Sequence, residues 1–292
     1  MVNSMSKIKV SELFYSLQGE GMFVGVPSIF LRTFGCNFTC GGFGMPKGEV
    51  SKERDIIAIA HEQTPYRDYK NLPLVSTGCD SYASWDTRFK NLSPVMTTNE
   101  IADKILDILP VDDIFFGTNR HLVITGGEPL LGWQRSYPDL IDALMDYGLT
   151  DITFETNGTQ PLQHEFGAYL TSISNSVTVT FSVSPKLPVS GESWDSAIKP
   201  EVVAQYKNVP GCNLYLKFVV ANSEDVEDVS KAVFEYNTMP ALWRIPVYLM
   251  PVGGTSDGYQ LNERNVADYC RDNGYRFSPR LQVPLYKNAW GT

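Results

Sequence analysis

The chain is short of histidine, short of positive charge and without any long apolar run. Its only histidines are His61, His121 and His164. Against 33 aspartates and glutamates stand 24 lysines and arginines, a formal net charge of −9. Nucleic acid needs a basic face for its phosphates, so it is not expected as a direct partner. That balance still allows a local basic pocket for a small anion. No apolar stretch approaches the roughly 20 residues of a membrane helix, so no membrane partner is expected either. Residues 1–7 lack the basic-then-apolar order of a secretion signal, and a cytoplasmic location is the expectation. Five cysteines, an odd number, fit poorly with a fully paired disulfide framework and better with a reducing compartment. Internal repeats and low-complexity tails are also missing.

What is present is 292 residues with 43% hydrophobic content, enough for one large α/β domain. Apolar, β-branched runs recur at 28–34, 121–125, 151–155, 177–183, 214–220, 246–250 and 276–283. The stretches between several of them read as helices. Thr97 and Glu100 have capping-box spacing ahead of 101–109, and Gly148 and Gly274 fall where helices at 137–147 and 261–273 should end. A further helix is expected over 223–236. Strands alternating with helices imply a parallel sheet with right-handed crossovers. The expected fold is α/β, an incomplete TIM-like barrel of about six parallel strands, with its chemistry at the C-terminal strand ends. Two stretches break the rhythm, 41–78 and 185–210. Both read as insertions on a single domain spanning 1–292, because neither has the apolar residues for its own core. The first is expected to hold a short helix over 51–61.

Three thiols stand out from that background. Cys36 and Cys40 are four residues apart, Cys79 follows much later, and Gly126-Gly127-Glu128-Pro129 closes a strand run. Soft thiolates suit an iron–sulfur cluster. Three of them on a [4Fe–4S] cluster leave one iron for S-adenosylmethionine, whose reductive cleavage starts radical chemistry. Two other readings stay open on the thiols alone. Cys36 and Cys40 could be small buried hydrophobes, or part of a zinc site, although no histidine lies at ligand spacing. Cys212, at a strand entrance, and Cys270, mid-helix, read as structural.

Longer motifs narrow the choice. The opening 12–21 (ELFYSLQGEG), then 25–32 (GVPSIFLR), Gly35-Cys36-Asn37 and 79–85 (CDSYASW) resemble the 7-carboxy-7-deazaguanine synthases of the radical S-adenosylmethionine superfamily. Thr125-Gly126-Gly127-Glu128-Pro129, Glu155-Thr156-Asn157-Gly158, Ser184-Pro185-Lys186, 280–283 (RLQV) and 286–291 (YKNAWG) continue the resemblance over most of the chain. It implies a lyase of 7-deazapurine biosynthesis, converting 6-carboxy-5,6,7,8-tetrahydropterin to 7-carboxy-7-deazaguanine and ammonia. It implies hydrogen abstraction at C6 and ring contraction, with a [4Fe–4S] cluster, S-adenosylmethionine and Mg2+ as cofactors. A flavodoxin-type reductant and a homodimer are implied as partners.

The resemblance also assigns roles by position. Cys36, Cys40 and Cys79 would hold the cluster and Ser81 the magnesium, with Asp80 its neighbour. Leu17, Gln18, Gly19, Arg32, Thr125 and Thr292 would meet the pterin, Arg32 through its carboxylate and Thr292 through the terminal carboxylate. Gly127, Glu128, Ser184, Pro185, Lys186, Met250, Pro251, Val252 and Gly253 would meet S-adenosylmethionine, although Met250 stands where the family has glutamine. No catalytic side chain beyond cluster and cofactor is implied. The family commonly spaces its second and third thiols by two residues, so 41–78 is this chain's largest departure. Two further readings remain: another radical S-adenosylmethionine enzyme, such as a glycyl-radical activase, and a non-catalytic iron–sulfur redox or structural protein.

Overall fold

A computed structural model describes residues 6–110 and 120–292. The opening residues 1–5, read above for a secretion signal, lie outside the described part. The strands are β1 (Lys7–Leu17), β2 (Pro27–Thr33), β3 (Val95–Thr97), β4 (His121–Gly126), β5 (Asp151–Thr156), β6 (Thr178–Val183), β7 (Asn213–Val220), β8 (Val247–Pro251) and β9 (Arg276–Phe277). The helices are α1 (Glu53–Gln63), α2 (Thr98–Asp107), α3 (Tyr137–Met145), α4 (His164–Ile173), α5 (Trp194–Ala197), α6 (Pro200–Tyr206), α7 (Ser223–Asn237), α8 (Ser256–Asn273) and α9 (Gln282–Tyr286).

Among the described residues, the strands form one sheet in the order β3-β1-β2-β4-β5-β6-β7-β8-β9. From β2 through β9 every neighbouring pair is parallel, while β1 runs antiparallel to β2 and β3 antiparallel to β1. The sheet is open, with β3 and β9 as its edges. The parallel run matches expectation: six full strands and a two-residue seventh. Three details differ. The opening motif begins inside an eleven-residue strand, β1, and runs past its end. The run expected over 276–283 pairs only at Arg276–Phe277, because Pro279 has no N–H for a continuing ladder, and Val283 lies in α9 instead. The 185–210 stretch carries the short helices α5 and α6.

Strand alternation divides the two faces chemically. Leu31, Ile124, Phe154, Phe181, Leu216 and Leu249 point one way and are sealed in the main core. Helices α2, α3, α4 and α7 press their apolar stripes into that same core. An aromatic column steadies its middle, with Phe154 and Phe181 stacked at 5.8 Å and Phe181 and Tyr206 at 4.7 Å. The alternate residues, among them Arg32, Thr125, Glu155, Ser182 and Lys217, face a cleft on the opposite side.

Local signals set the helix ends. Thr97 and Glu100 close the expected capping box, with Glu100 N donating to Thr97 Oγ1 at 3.2 Å and Thr97 N to Glu100 Oε2 at 2.7 Å. A second box, Asn222 with Asp225, opens α7. Gly274 ends α8 in the left-handed region at φ 72°.

The 41–78 insertion has the expected short helix, α1. Ile57, Tyr69, Leu72 and Val75 form a second small core, completed by Tyr82, Ala83 and Phe89 and by the edge of Trp290. The insertion thus borrows the apolar surface it lacks.

Candidate active site

The cleft has a volume of about 260 Å3. Parallel pairing sets its top edge, because Arg32 lies opposite Thr125 and Thr33 opposite Gly126. Cys36 follows β2 directly, and Gly126-Gly127 ends β4 beside it. A Cβ on Gly127 would sit 2.4 Å from the Gly35 carbonyl oxygen and 2.7 Å from the Cys36 Cβ. One on Gly126 would lie 2.4 Å from the Thr33 carbonyl oxygen. The paired glycines are what let the end of β4 approach the thiol loop.

Cys36, Cys40 and Cys79 meet in one small cluster with Phe38, Phe43 and Ala197, and all three line the cleft. All are free thiols. Cys40 holds a left-handed backbone at φ 48°, uncommon for a non-glycine residue. Glu192 braces that turn, its Oε1 accepting from Cys40 N at 2.8 Å, Thr39 N at 2.9 Å and Thr39 Oγ1 at 3.2 Å. N–H donors reach two of the sulfurs, Phe38 N at 3.4 Å from Cys36 and Trp85 Nε1 at 3.3 Å from Cys79.

Burial pushes the Cys36 thiol up to about 12 and raises Cys40 and Cys79 as well. Lys186 pulls the first two back only partly. Thiolates there need a cation to compensate them, and iron would provide one. Among the described residues, no three His, Cys, Asp or Glu side chains already stand in metal-holding geometry. Three soft donors beside a glycine-lined wall nonetheless suit a cluster held by three thiolates.

Arg32 donates from Nε to Glu12 Oε2 at 2.7 Å, and burial is outweighed by Glu12 and Asp80 so that its pKa rises. Its terminal nitrogens make no hydrogen bond among the described residues, and its side chain keeps 21% exposure on the cleft side. Phe14 and Phe30 stack at 4.9 Å below it. Gln18 is held at both ends of its amide: Nε2 donates to Glu155 Oε1 at 3.1 Å and Oε1 accepts from Glu20 N at 3.0 Å. Thr125 Oγ1 donates to Glu155 Oε2 at 3.2 Å. Lys186 reaches Ser184 Oγ at 3.2 Å, and Ser81 Oγ lies 3.5 Å from the Cys79 sulfur.

Of the residues assigned by resemblance, Leu17, Gln18, Gly19, Arg32, Thr125, Thr292, Gly127, Ser184, Lys186, Met250, Val252, Gly253 and Ser81 all line this cleft with the thiols. Pro185 and Pro251 are buried and do not. Glu128 is 0% exposed and equally outside it. Its carboxylate accepts from Leu130 N at 3.0 Å, Thr156 Oγ1 at 2.8 Å and Asn157 N at 2.7 Å, tying the end of β4 to β5. Burial raises its pKa to about 7 against those donors.

The sequence assigns no role to Glu20, Lys217 or Arg280, which line the cleft. Lys217 Nζ is 2.5 Å from Glu20 Oε2 and 4.0 Å from Glu155 Oε1. Glu20 Oε1 accepts from Gln282 Nε2 at 2.7 Å, and Arg280 bridges from Glu20 to Asp80 and to the Gly253 carbonyl. A lone lysine inside the apolar run 214–220 was the available signal, since buried lysines are almost always paired.

The class this geometry suits is the one the motifs suggested, a radical S-adenosylmethionine protein built on an open α/β sheet. Comparison with known proteins makes the relationship particular. The chain is 28% identical over 290 residues to the 7-carboxy-7-deazaguanine synthase of Pyrobaculum aerophilum, covering 99% of this chain and 100% of that one. It is 29% identical over 288 residues to the protein of the same name from Halobacterium salinarum, covering 97% and 91%. No family model matches. The crystal structure of QueE from Escherichia coli superposes with a TM-score of 0.53 at 22% identity, covering 93% of both chains, and speaks to the fold alone. The resemblance read from the motifs therefore holds: over nearly its whole length this chain is similar to proteins named 7-carboxy-7-deazaguanine synthase.

Proposed function

We propose that this chain is a 7-carboxy-7-deazaguanine synthase, a lyase converting 6-carboxy-5,6,7,8-tetrahydropterin to 7-carboxy-7-deazaguanine and ammonia. The observation that carries this reading is the meeting of three thiols, the Gly127 wall and an anchored arginine in one cleft. When bound, a [4Fe–4S] cluster with S-adenosylmethionine supplies one-electron cleavage of the sulfonium. The chain's own residues do the holding. Cys36, Cys40 and Cys79 would ligate the cluster. Lys186, steadied by Ser184, would meet the carboxylate of S-adenosylmethionine beside Gly127, Met250, Val252 and Gly253.

Arg32 would present its free guanidinium edge to the pterin carboxylate, since Glu12 occupies only Nε. Phe14 and Phe30 give an apolar wall for a flat ring. Glu155, fixed by Gln18 and Thr125, offers acceptors to ring N–H groups. Magnesium belongs to the proposal, with the Ser81 hydroxyl as the hard oxygen beside the thiols. So do an incomplete barrel, a single domain over 1–292, a cytoplasmic homodimer and a flavodoxin-type reductant.

Anaerobic reconstitution with iron and sulfide, followed by incubation with the carboxytetrahydropterin, S-adenosylmethionine, magnesium and a reductant, tests the reaction. The expected result is the deazapurine chromophore with release of ammonia. Replacement Arg32→Ala should raise the pterin KM by roughly tenfold or more, as loss of a charge-assisted contact does. Cleavage of S-adenosylmethionine without any deazapurine would instead favour another radical activity.

A further inference from the structure

We propose that the 41–78 insertion is the seat of the 288–292 segment, with Trp290 a positioning residue that fixes Gly291 and Thr292 at the cleft. This rests on the reaction proposed above, because it gives the insertion a part in binding the same pterin.

Trp290 is held on three sides by the insertion and the turn that follows it. Its Nε1 donates to the Leu72 carbonyl at 3.0 Å. Its ring meets Tyr69 edge-on at 5.7 Å and Tyr82 at 5.6 Å, near perpendicular to the latter at 81°. Those tyrosines are fixed in turn: Tyr69 donates to the Ala83 carbonyl at 2.7 Å, and Tyr82 to the Pro73 carbonyl at 2.8 Å.

The contact continues along the cleft wall. Asn288 Nδ2 donates to the Gly254 carbonyl at 3.0 Å, and a Cβ on Gly254 would lie 2.8 Å from the Val75 carbonyl oxygen. Insertion, glycine turn and 288–290 thus form one seam. The start of the insertion is pinned separately, Gly42 N donating to the Ser190 carbonyl at 2.8 Å. A segment tied at its start and again in its later half acts as a frame. Loop closure grows costly only slowly with length, so the added chain gains this seat at little entropic penalty.

The test compares Trp290→Ala and Trp290→Phe with the wild type in two ways. Hydrogen exchange at the amides of Lys287, Asn288 and Ala289 is read on the protein without substrate. Steady-state kinetics then separate the pterin KM from kcat, with bound iron measured alongside. Loss of two edge-on ring contacts and one hydrogen bond should speed exchange in Trp290→Ala by roughly tenfold and raise the pterin KM comparably. Bound iron should match the wild type, and Trp290→Phe, keeping ring contacts without the N–H, should fall between. Unchanged exchange in Trp290→Ala overturns the proposal. So does a fall in kcat with pterin KM unmoved. A wild type that forms no deazapurine overturns the proposed reaction instead, and the exchange arm then decides the seat by itself.

Discussion

The ammonium of Lys217 lies 2.5 Å from a carboxylate oxygen of Glu20, although 197 positions separate them in the chain. The pair joins β7, on the parallel side of the sheet, to the turn that follows the antiparallel β1. Burial disfavours the charge on Glu20, but Lys217 and Arg280 outweigh it and hold its carboxyl down at about 2. For Lys217 the same partner outweighs burial and raises its pKa.

Removing one member should therefore cost far more than removing both. Replacement Lys217→Met leaves Glu20 with Arg280 alone and Glu155 without the cation beside it, an expected loss of about 3 kcal/mol in urea denaturation. Adding Glu20→Gln to that variant should restore part of the loss, because the two sites are coupled. Single and double variants that simply add would sink the assignment. The sign for pH follows from the lowered carboxyl. Stabilisation by Glu20 is complete above its ordinary 4.5 and disappears as pH falls toward about 2.

Gly127 should matter for space rather than for backbone freedom. Replacement Gly127→Ala puts a methyl 2.4 Å from the Gly35 carbonyl oxygen, so the Cys36 loop must move. Iron bound after reconstitution should fall well below one cluster per chain while the far-ultraviolet dichroism stays native. Gly167 in α4 serves as the control, since its Cβ would meet only Leu162 at 3.9 Å. There Gly→Ala should stabilise by about 0.5–1 kcal/mol and leave iron unchanged. Cys212→Ala should also keep its iron, because that thiol donates to the Tyr206 carbonyl far from the cleft residues. Normal loading in Gly127→Ala would refute the steric account.

His121 offers a pH dependence away from the thiols. At the start of β4 its Nδ1 shares a 3.1 Å hydrogen bond with Ser28 Oγ, and burial lowers its pKa from 6.5 to about 4. Between those values the unfolded chain binds the extra proton, so the native state loses stability as pH falls from about 6.5 to about 4. Comparing His121→Asn with wild type across that window isolates the imidazole from the carboxylates. The wild type should lose on the order of 3 kcal/mol more than the variant, the energy of a shift of that size. Parallel stability curves for the two proteins would refute it.

Much of the fold was legible because strand and helix periods are local. The buried parallel strands announced themselves as β-branched runs, and Thr97-Thr98-Asn99-Glu100 spelled out its own capping box. The opening strand carries few β-branched residues to mark it, and an apolar run such as 276–283 carries no mark of where pairing stops. At the site, Arg32 and the glycines of 126–127 were findable from their neighbours in sequence. Glu12, Glu192 and Arg280 were not, since each acts on a residue distant in the chain.

Residue order alone set the alternation that sends Leu31 and Ile124 to the helices and Arg32 and Thr125 to the cleft, because side chains on a strand must alternate. It also placed Cys36 just past β2 and two glycines at the end of β4. Tertiary structure decided what those residues face. It enclosed Glu128 behind the wall instead of within the cleft, joined Lys217 to Glu20, and set Trp290 on the insertion. Such pairings depend on which distant surfaces meet after chain closure, and no local period encodes that.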